Sequence, residues 1–152
     1  MKVVIASDHG GYQLKEELKT FIAQLGHEVA DYGAHTQDPV DYPDFAFLVA
    51  EAVAAGAADR GVMIDGIGAA SAMVANKVPG IRAASCSDTF TAAMSRAHND
   101  ANVLTLGARV IGSGLAREIV RVWLAAEFEG GRHMRRVSKV LDFEARYLGP
   151  RR

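Results

Sequence analysis

Four short stretches carry side chains that could do chemistry. The first reads IDGIGAASAMVANK, from Ile64 to Lys77, where a carboxylate, Asp65, is followed at once by Gly66 and Gly68. Glycines let the backbone approach a ligand, and free N–H groups opening a helix can hold an anion. On these residues alone, a tight strand-to-helix turn explains the loop equally well. Half of a dinucleotide fingerprint is also present, but Ser71 stands at the third glycine position. An acid about 20 residues further on, Asp88, would complete that alternative. No Gly-Lys-Ser/Thr follows, which excludes a P-loop.

The second stretch is SDHGG, where Asp8 and His9 could orient a sugar through hydrogen bonds or simply cap a helix. In the third, HND, His98 could serve as acid and base near neutral pH, with Asn99 beside it. A cation and a C-cap at a helix end are the plainer readings. The fourth is EGGRHMRR, where Arg132 and Arg136 are four apart and share a face if helical. Arginine forks match phosphate geometry, and Arg109, after the fifth strand pattern, is a further candidate. No Cys/His cluster has metal-ligand spacing, so no metal is expected. An anion loop, arginines, an Asp-His pair and a His-Asn pair together suit a small phosphorylated polyol.

Elements that would position these groups follow from hydrophobic periodicity. Short β-branched or apolar runs at 2–7, 27–33, 60–65, 80–86 and 101–108 read as five strands. Helical spacing fills 12–26, 45–56, 69–77, 88–99, 113–128 and roughly 134–146, with a turn-rich loop at 38–44. Alternating apolar strands and helices predict an α/β fold with a parallel sheet covered on both faces. In such sheets ligands bind at the carboxyl ends of the strands, where Asp8, Asp65 and Asp88 fall.

Composition sets the outer bounds. The 152 residues fit one domain, and 49% hydrophobic content is enough for a sizeable core. A net charge of -1 gives no support for nucleic-acid binding. One cysteine, Cys86, allows no internal disulfide and suits a reducing compartment. No signal-peptide layout and no apolar run of about 20 residues is present, so a cytoplasmic protein with no membrane partner is expected.

Several strings together resemble the ribose-5-phosphate isomerase B family, which includes the two galactose-6-phosphate isomerase subunits. They are IASDHGGYQLKEEL, GHEVADYG, VDYPDFA, VANKVPGIRAA, HNDANVLTLGARVIG and FEGGRHMRRV, covering residue 1 to about 140. The resemblance implies a Rossmann-like three-layer sandwich with a five-stranded parallel sheet. It implies a homodimer or homotetramer with active sites at the dimer interface. It also implies cofactor-free interconversion of aldose and ketose phosphates through a cis-enediol. By resemblance, Asp8, His9 and Tyr42 contact the sugar, His98 opens the ring and Asn99 binds hydroxyls. Arg132 and Arg136, with Arg109, resemble the phosphate clamp. Gly66, Ile67, Gly68, Ala69 and Ala70 resemble the enediolate cradle.

The chain departs from the family at the centre of that cradle. Typical members read CGTGIG, with cysteine as base; here Asp65 replaces the cysteine, Ile67 the threonine and Ala70 the third glycine. Ser71 stands where other members carry glutamate. The A subunit of galactose-6-phosphate isomerase, reading IDAYGAG, also places aspartate there. A carboxylate can take the base's role, although it is a weaker base than a thiolate. Ribose 5-phosphate is the first expected substrate. Galactose 6-phosphate, allose 6-phosphate and a tetrose phosphate are alternatives, as is a sugar-phosphate-binding member without turnover. The tail LDFEARYLGPRR lies beyond the resemblance.

Overall fold

The computed structural model describes residues 1–148. Five strands, β1 (Lys2–Ser7), β2 (Glu28–Asp31), β3 (Arg60–Asp65), β4 (Ala83–Ser85) and β5 (Val103–Gly107), form one sheet in the order β2-β1-β3-β5-β4. Every neighbouring pair is parallel. Six helices connect and cover it: α1 (Tyr12–Gln24), α2 (Tyr42–Ala54), α3 (Ala69–Ala75), α4 (Thr89–Ala97), α5 (Ser113–Ala125) and α6 (Gly131–Leu148).

Strand alternation divides the core in two. Val3, Ile5, Val62, Ile64, Leu104 and Leu106 face one layer, where Leu18, Ile22, Ile119 and Trp123 of α1 and α5 meet them. Val4, Ala6, Met63 and Val103 face the other, against Ala46, Val49 and Ala50 of α2. Small residues on α2 let it lie close to the sheet; Gly61 faces Val49 at a distance no Cβ would tolerate. This is the expected three-layer α/β sandwich. No helix among the described residues is long and apolar enough to cross a membrane.

Several boundaries differ from the sequence expectation, three of them with consequences for the site. Strand β4 is only three residues long, because the ladder to β5 exists only at Ala83–Ser85. Before it, the Arg82 N–H donates to the Asn102 side chain at 2.8 Å instead of a strand. Helix α2 starts at Tyr42, with Pro43 in its first turn, so Tyr42 opens a helix rather than ending a loop. Helix α6 starts at Gly131, which places both Arg132 and Arg136 on it, and it carries much of the expected tail. Residues 149–152 of that tail lie outside the described residues.

A buried ion cluster braces the β1–β2 edge. Lys15 is fully buried, and its Nζ donates to Asp31 Oδ1 at 2.8 Å, Asp31 Oδ2 at 2.9 Å and the Ala34 carbonyl at 2.8 Å. Lys19 donates to Asp31 Oδ2 at 2.6 Å. Burial resists ionisation of Asp31, but Lys15, Lys19 and the Gly33 N–H outweigh it and hold its carboxyl at about 2. A depressed carboxyl contributes stability above its unfolded value, near 3.9, and loses it as pH falls through the folded value. Resistance to urea should therefore fall from about pH 4 down to about pH 2. Asp31→Asn should lower the neutral-pH plateau and flatten that acid limb; an unchanged limb would remove Asp31 as its source.

Candidate active site

The strand ends bring two of the four stretches into contact. Asp8 follows β1, and its N–H donates to the Ile64 carbonyl at 3.1 Å. Its side chain caps the short 3-10 turn His9–Gly11 by accepting the Gly11 N–H at 3.0 Å. Gly11 is required there, since a Cβ would lie 2.4 Å from the Ile64 carbonyl oxygen. His9 is exposed, with Nδ1 3.2 Å from the Val40 backbone nitrogen, which ties down the loop entering α2 at Tyr42. A Cβ on Gly10 would come within 4.0 Å of the Gly66 nitrogen, so the Asp-His turn and the glycine loop are neighbours.

Asp65 ends β3 and is 3% exposed. Its carboxylate heads the loop and is bonded by the loop. Oδ1 accepts the N–H of Ile67 at 2.7 Å and the N–H of Gly68. Oδ2 accepts the N–H of Ser71 at 3.0 Å and the Ser71 hydroxyl. The N–H groups of Ala69 and Ala70 find no acceptor among the described residues. Gly68 takes φ 81°, and a Cβ there would meet Ser85 Oγ at 2.9 Å. Ile67, by contrast, points outward at 59% exposed. Arg109 stands over the loop: its N–H donates to the Gly66 carbonyl at 3.0 Å, and its Cδ lies 3.7 Å from where a Gly66 Cβ would be.

A second group gathers where α4 ends and α6 begins. His98 caps α4, its N–H donating to the Met94 carbonyl at 2.9 Å, with Asn99 exposed beside it. The Glu129 N–H donates to the Ala97 carbonyl at 3.0 Å, which brings the GGRHMRR segment to this helix end. His133 then stacks on His98, ring centroids 4.1 Å apart and planes 5° from parallel. Glu129 Oε2 lies 3.9 Å from His98 Nε2 and 3.6 Å from His133 Nε2. Burial pushes the His133 imidazole below its usual range; His98, Arg132 and Arg136 push the same way, against Glu129. Arg132, Asn99 and Arg136 are all exposed, and the last two line a groove of about 630 Å³ under α6.

Sequence spacing hid this second cluster. His98, Glu129 and His133 place ligand atoms within 4.8 Å of one another, although no linear motif announces them. Rings stacked in parallel planes keep their in-plane lone pairs from meeting at one point. Two flanking arginines further disfavour a cation, so the cluster suits an anion and a mobile proton. Glu129 and His133 were missed as site residues, though their four-residue separation inside EGGRHMRR was the available signal. Ser71 was missed as a partner of Asp65.

The dinucleotide alternative falls, and the one cysteine lies away from the site. Asp88 is a helix cap, accepting the Thr91 N–H at 2.7 Å and the Thr91 hydroxyl at 2.7 Å, so it does not complete a dinucleotide fingerprint. Cys86 is 3% exposed in the core, and burial pushes its thiol up to about 11. Among the described residues, no hydrogen bond, ion pair or ring contact joins the Asp65 group to the His98 group.

Close relatives match nearly the whole of this chain. A solved ribose-5-phosphate isomerase B from Clostridium thermocellum superposes with a TM-score of 0.95 at 55% identity, covering 97% of this chain and 99% of that one. Ribose-5-phosphate isomerase B of Escherichia coli is 45% identical over 95% of this chain and 97% of its own length. The D-erythrulose-4-phosphate isomerase of Pectobacterium atrosepticum is 42% identical over 95% of each. With the Ribose/Galactose Isomerase family model matching residues 3–140, the chain belongs to that family of sugar isomerases.

Proposed function

We propose that this chain interconverts an aldose phosphate and its ketose, ribose 5-phosphate and ribulose 5-phosphate first, with Asp65 as the base. The observation that carries the reading is a buried carboxylate at the head of a glycine loop on the central strand β3. The base takes the proton from C2 and returns it to C1 through a cis-enediol. The N–H groups of Ala69 and Ala70 face the developing enediolate oxygen, with Gly66, Ile67 and Gly68 shaping the turn. Arg132 and Arg136, with Arg109, hold the phosphate, so that remote binding energy fixes the reacting carbons. His98 opens the sugar ring; Asn99, Asp8, His9 and Tyr42 take hydroxyls. No cofactor or metal is required for this chemistry, and the setting is the cytoplasm.

The Asp65 and His98 groups share no contact within one chain, which supports a site completed by a second copy. The exposed apolar residues Met134, Val140, Leu141 and Phe143 on α6 give a homodimer a surface to cover. Ile67 supports a second substrate reading. It offers an exposed apolar side chain where the family pattern has threonine, which removes a hydroxyl partner and favours a shorter sugar such as a tetrose phosphate.

A coupled assay over four- to six-carbon sugar phosphates tests the reading. Robust turnover of one aldose–ketose pair is expected; binding without turnover on every member would overturn it in favour of a non-catalytic subunit. Co-refolding Asp65→Asn chains with His98→Asn chains tests the shared site. Random pairing should restore roughly a quarter of wild-type activity, because half the dimers carry one intact site of two. No recovery would place both groups in one chain.

A further inference from the structure

We propose that Ser71 is a positioning residue that throttles Asp65, its hydroxyl occupying the one carboxylate lone pair that a substrate can use. An ionised carboxylate offers about four lone-pair sites. All four are filled here, by the N–H groups of Ile67, Gly68 and Ser71 and by the Ser71 hydroxyl. A base in that condition cannot accept a carbon-bound proton until one donor leaves.

The four donors are not equally removable. Three are backbone N–H groups of the loop and of the first turn of α3, fixed by chain geometry. Gly68 packs closely enough on Ser85, Leu106 and Gly107 that an added Cβ would lie 2.9–3.1 Å from them. The fourth donor hangs on a side-chain torsion, and turning it leaves the backbone where it is. Ser71 is fully buried, and its hydroxyl makes no hydrogen bond other than the one to Asp65 among the described residues. Its rotation therefore opens Oδ2 alone.

This rests on Asp65 being the base. The step is then balanced as follows. With the Ser71 hydroxyl turned away, the hydrogen on the carbon beside the carbonyl leaves as a proton to Asp65 Oδ2. The C–H electron pair becomes the enediolate double bond, and the carbonyl oxygen takes the negative charge. The hydroxyl proton of the adjacent carbon passes to that oxygen, and return of the proton from Oδ2 to the former carbonyl carbon leaves the new carbonyl on the adjacent carbon. Breaking a charge-assisted hydrogen bond precedes each transfer, so the hydroxyl slows the enzyme it helps to order.

Ser71→Ala removes the donor and leaves the backbone N–H groups in place. Two rates report on it: turnover, and exchange of the substrate's carbon-bound hydrogen with deuterated water followed by NMR. Both should rise roughly tenfold, equivalent to about 1.4 kcal/mol of barrier, with KM little changed. Ser71→Thr, which keeps a hydroxyl, should restore the slower rates. A purely structural role would lower both rates in Ser71→Ala and raise the sensitivity to urea. Rates that fall or stay level in Ser71→Ala overturn the proposal. Asp65→Asn separates the two ideas. If it exchanges at the wild-type rate, the assignment of the base fails; if it is inert while Ser71→Ala is no faster, only the throttle fails.

Discussion

Asp65→Asn should reduce turnover by about 10²–10⁴-fold, the range over which a positioned acid–base group contributes. The substitution keeps the shape of the side chain but changes what its neighbours meet. The amide oxygen can still accept from Ile67 and Gly68. The amide NH₂ then faces the Ser71 N–H, and two donors cannot bond each other. A buried N–H left without an acceptor costs about 1–3 kcal/mol, so the variant should unfold at lower urea as well. Phosphate-ligand affinity should hold, because the arginines of α6 make no contact with this loop. The diagnostic result is the combination of lost turnover and retained ligand binding in a folded protein. Wild-type turnover by Asp65→Asn would reduce Asp65 to a loop cap.

Gly107→Ala should be severely damaging although it adds only a methyl group. Gly107 ends β5, opposite Asp65 in the ladder. A Cβ there would lie 2.6 Å from the Ile67 carbonyl carbon, 2.7 Å from its oxygen and 2.8 Å from its Cα. All three are backbone atoms, so no side chain can swing aside, and the loop itself must move. Such overpacking costs about 1–3 kcal/mol. Displacing the loop by roughly 1 Å also moves the base and the cradle together, for about a 10²-fold loss in turnover. Gly112→Ala is the matched control, since nothing lies within 4 Å of its added Cβ. Gly112 caps the start of α5, so the change should cost about 1 kcal/mol of stability while turnover stays at the wild-type rate. If both variants kept wild-type kinetics, the fit between β5 and the loop would not matter to the reaction.

Five strands and their covering helices were readable because buried parallel strands are apolar runs and the helices carry a 3.6-residue stripe. Asp88, offered in the sequence as a distant partner of the glycine loop, is instead a local cap whose bonds span three residues. The sheet order was not readable, because periodicity marks which residues are buried and not which strand lies beside which. Strand β4 came out shorter than its apolar run, since a strand ends where its partner's hydrogen bonds end. The site divided along the same line. Asp65, His98 and the arginines were legible as chemistry-bearing types. The stacking of His133 on His98 was not, because it depends on Glu129 docking at the end of α4, thirty-two residues after Ala97.

The burial of Cys86 has a consequence for where such a protein can work. Oxidants and electrophiles attack thiolates, and a sulfhydryl sealed in the core and held at about 11 offers almost none at neutral pH. A thiolate at an open site is exposed to peroxide, which converts it to sulfenic and then sulfinic acid. With a carboxylate in that place and its only thiol behind the sheet, this chain has no sulfhydryl at its candidate site for peroxide to take. If Asp65 is the base, turnover persists through oxidative stress that silences a thiolate.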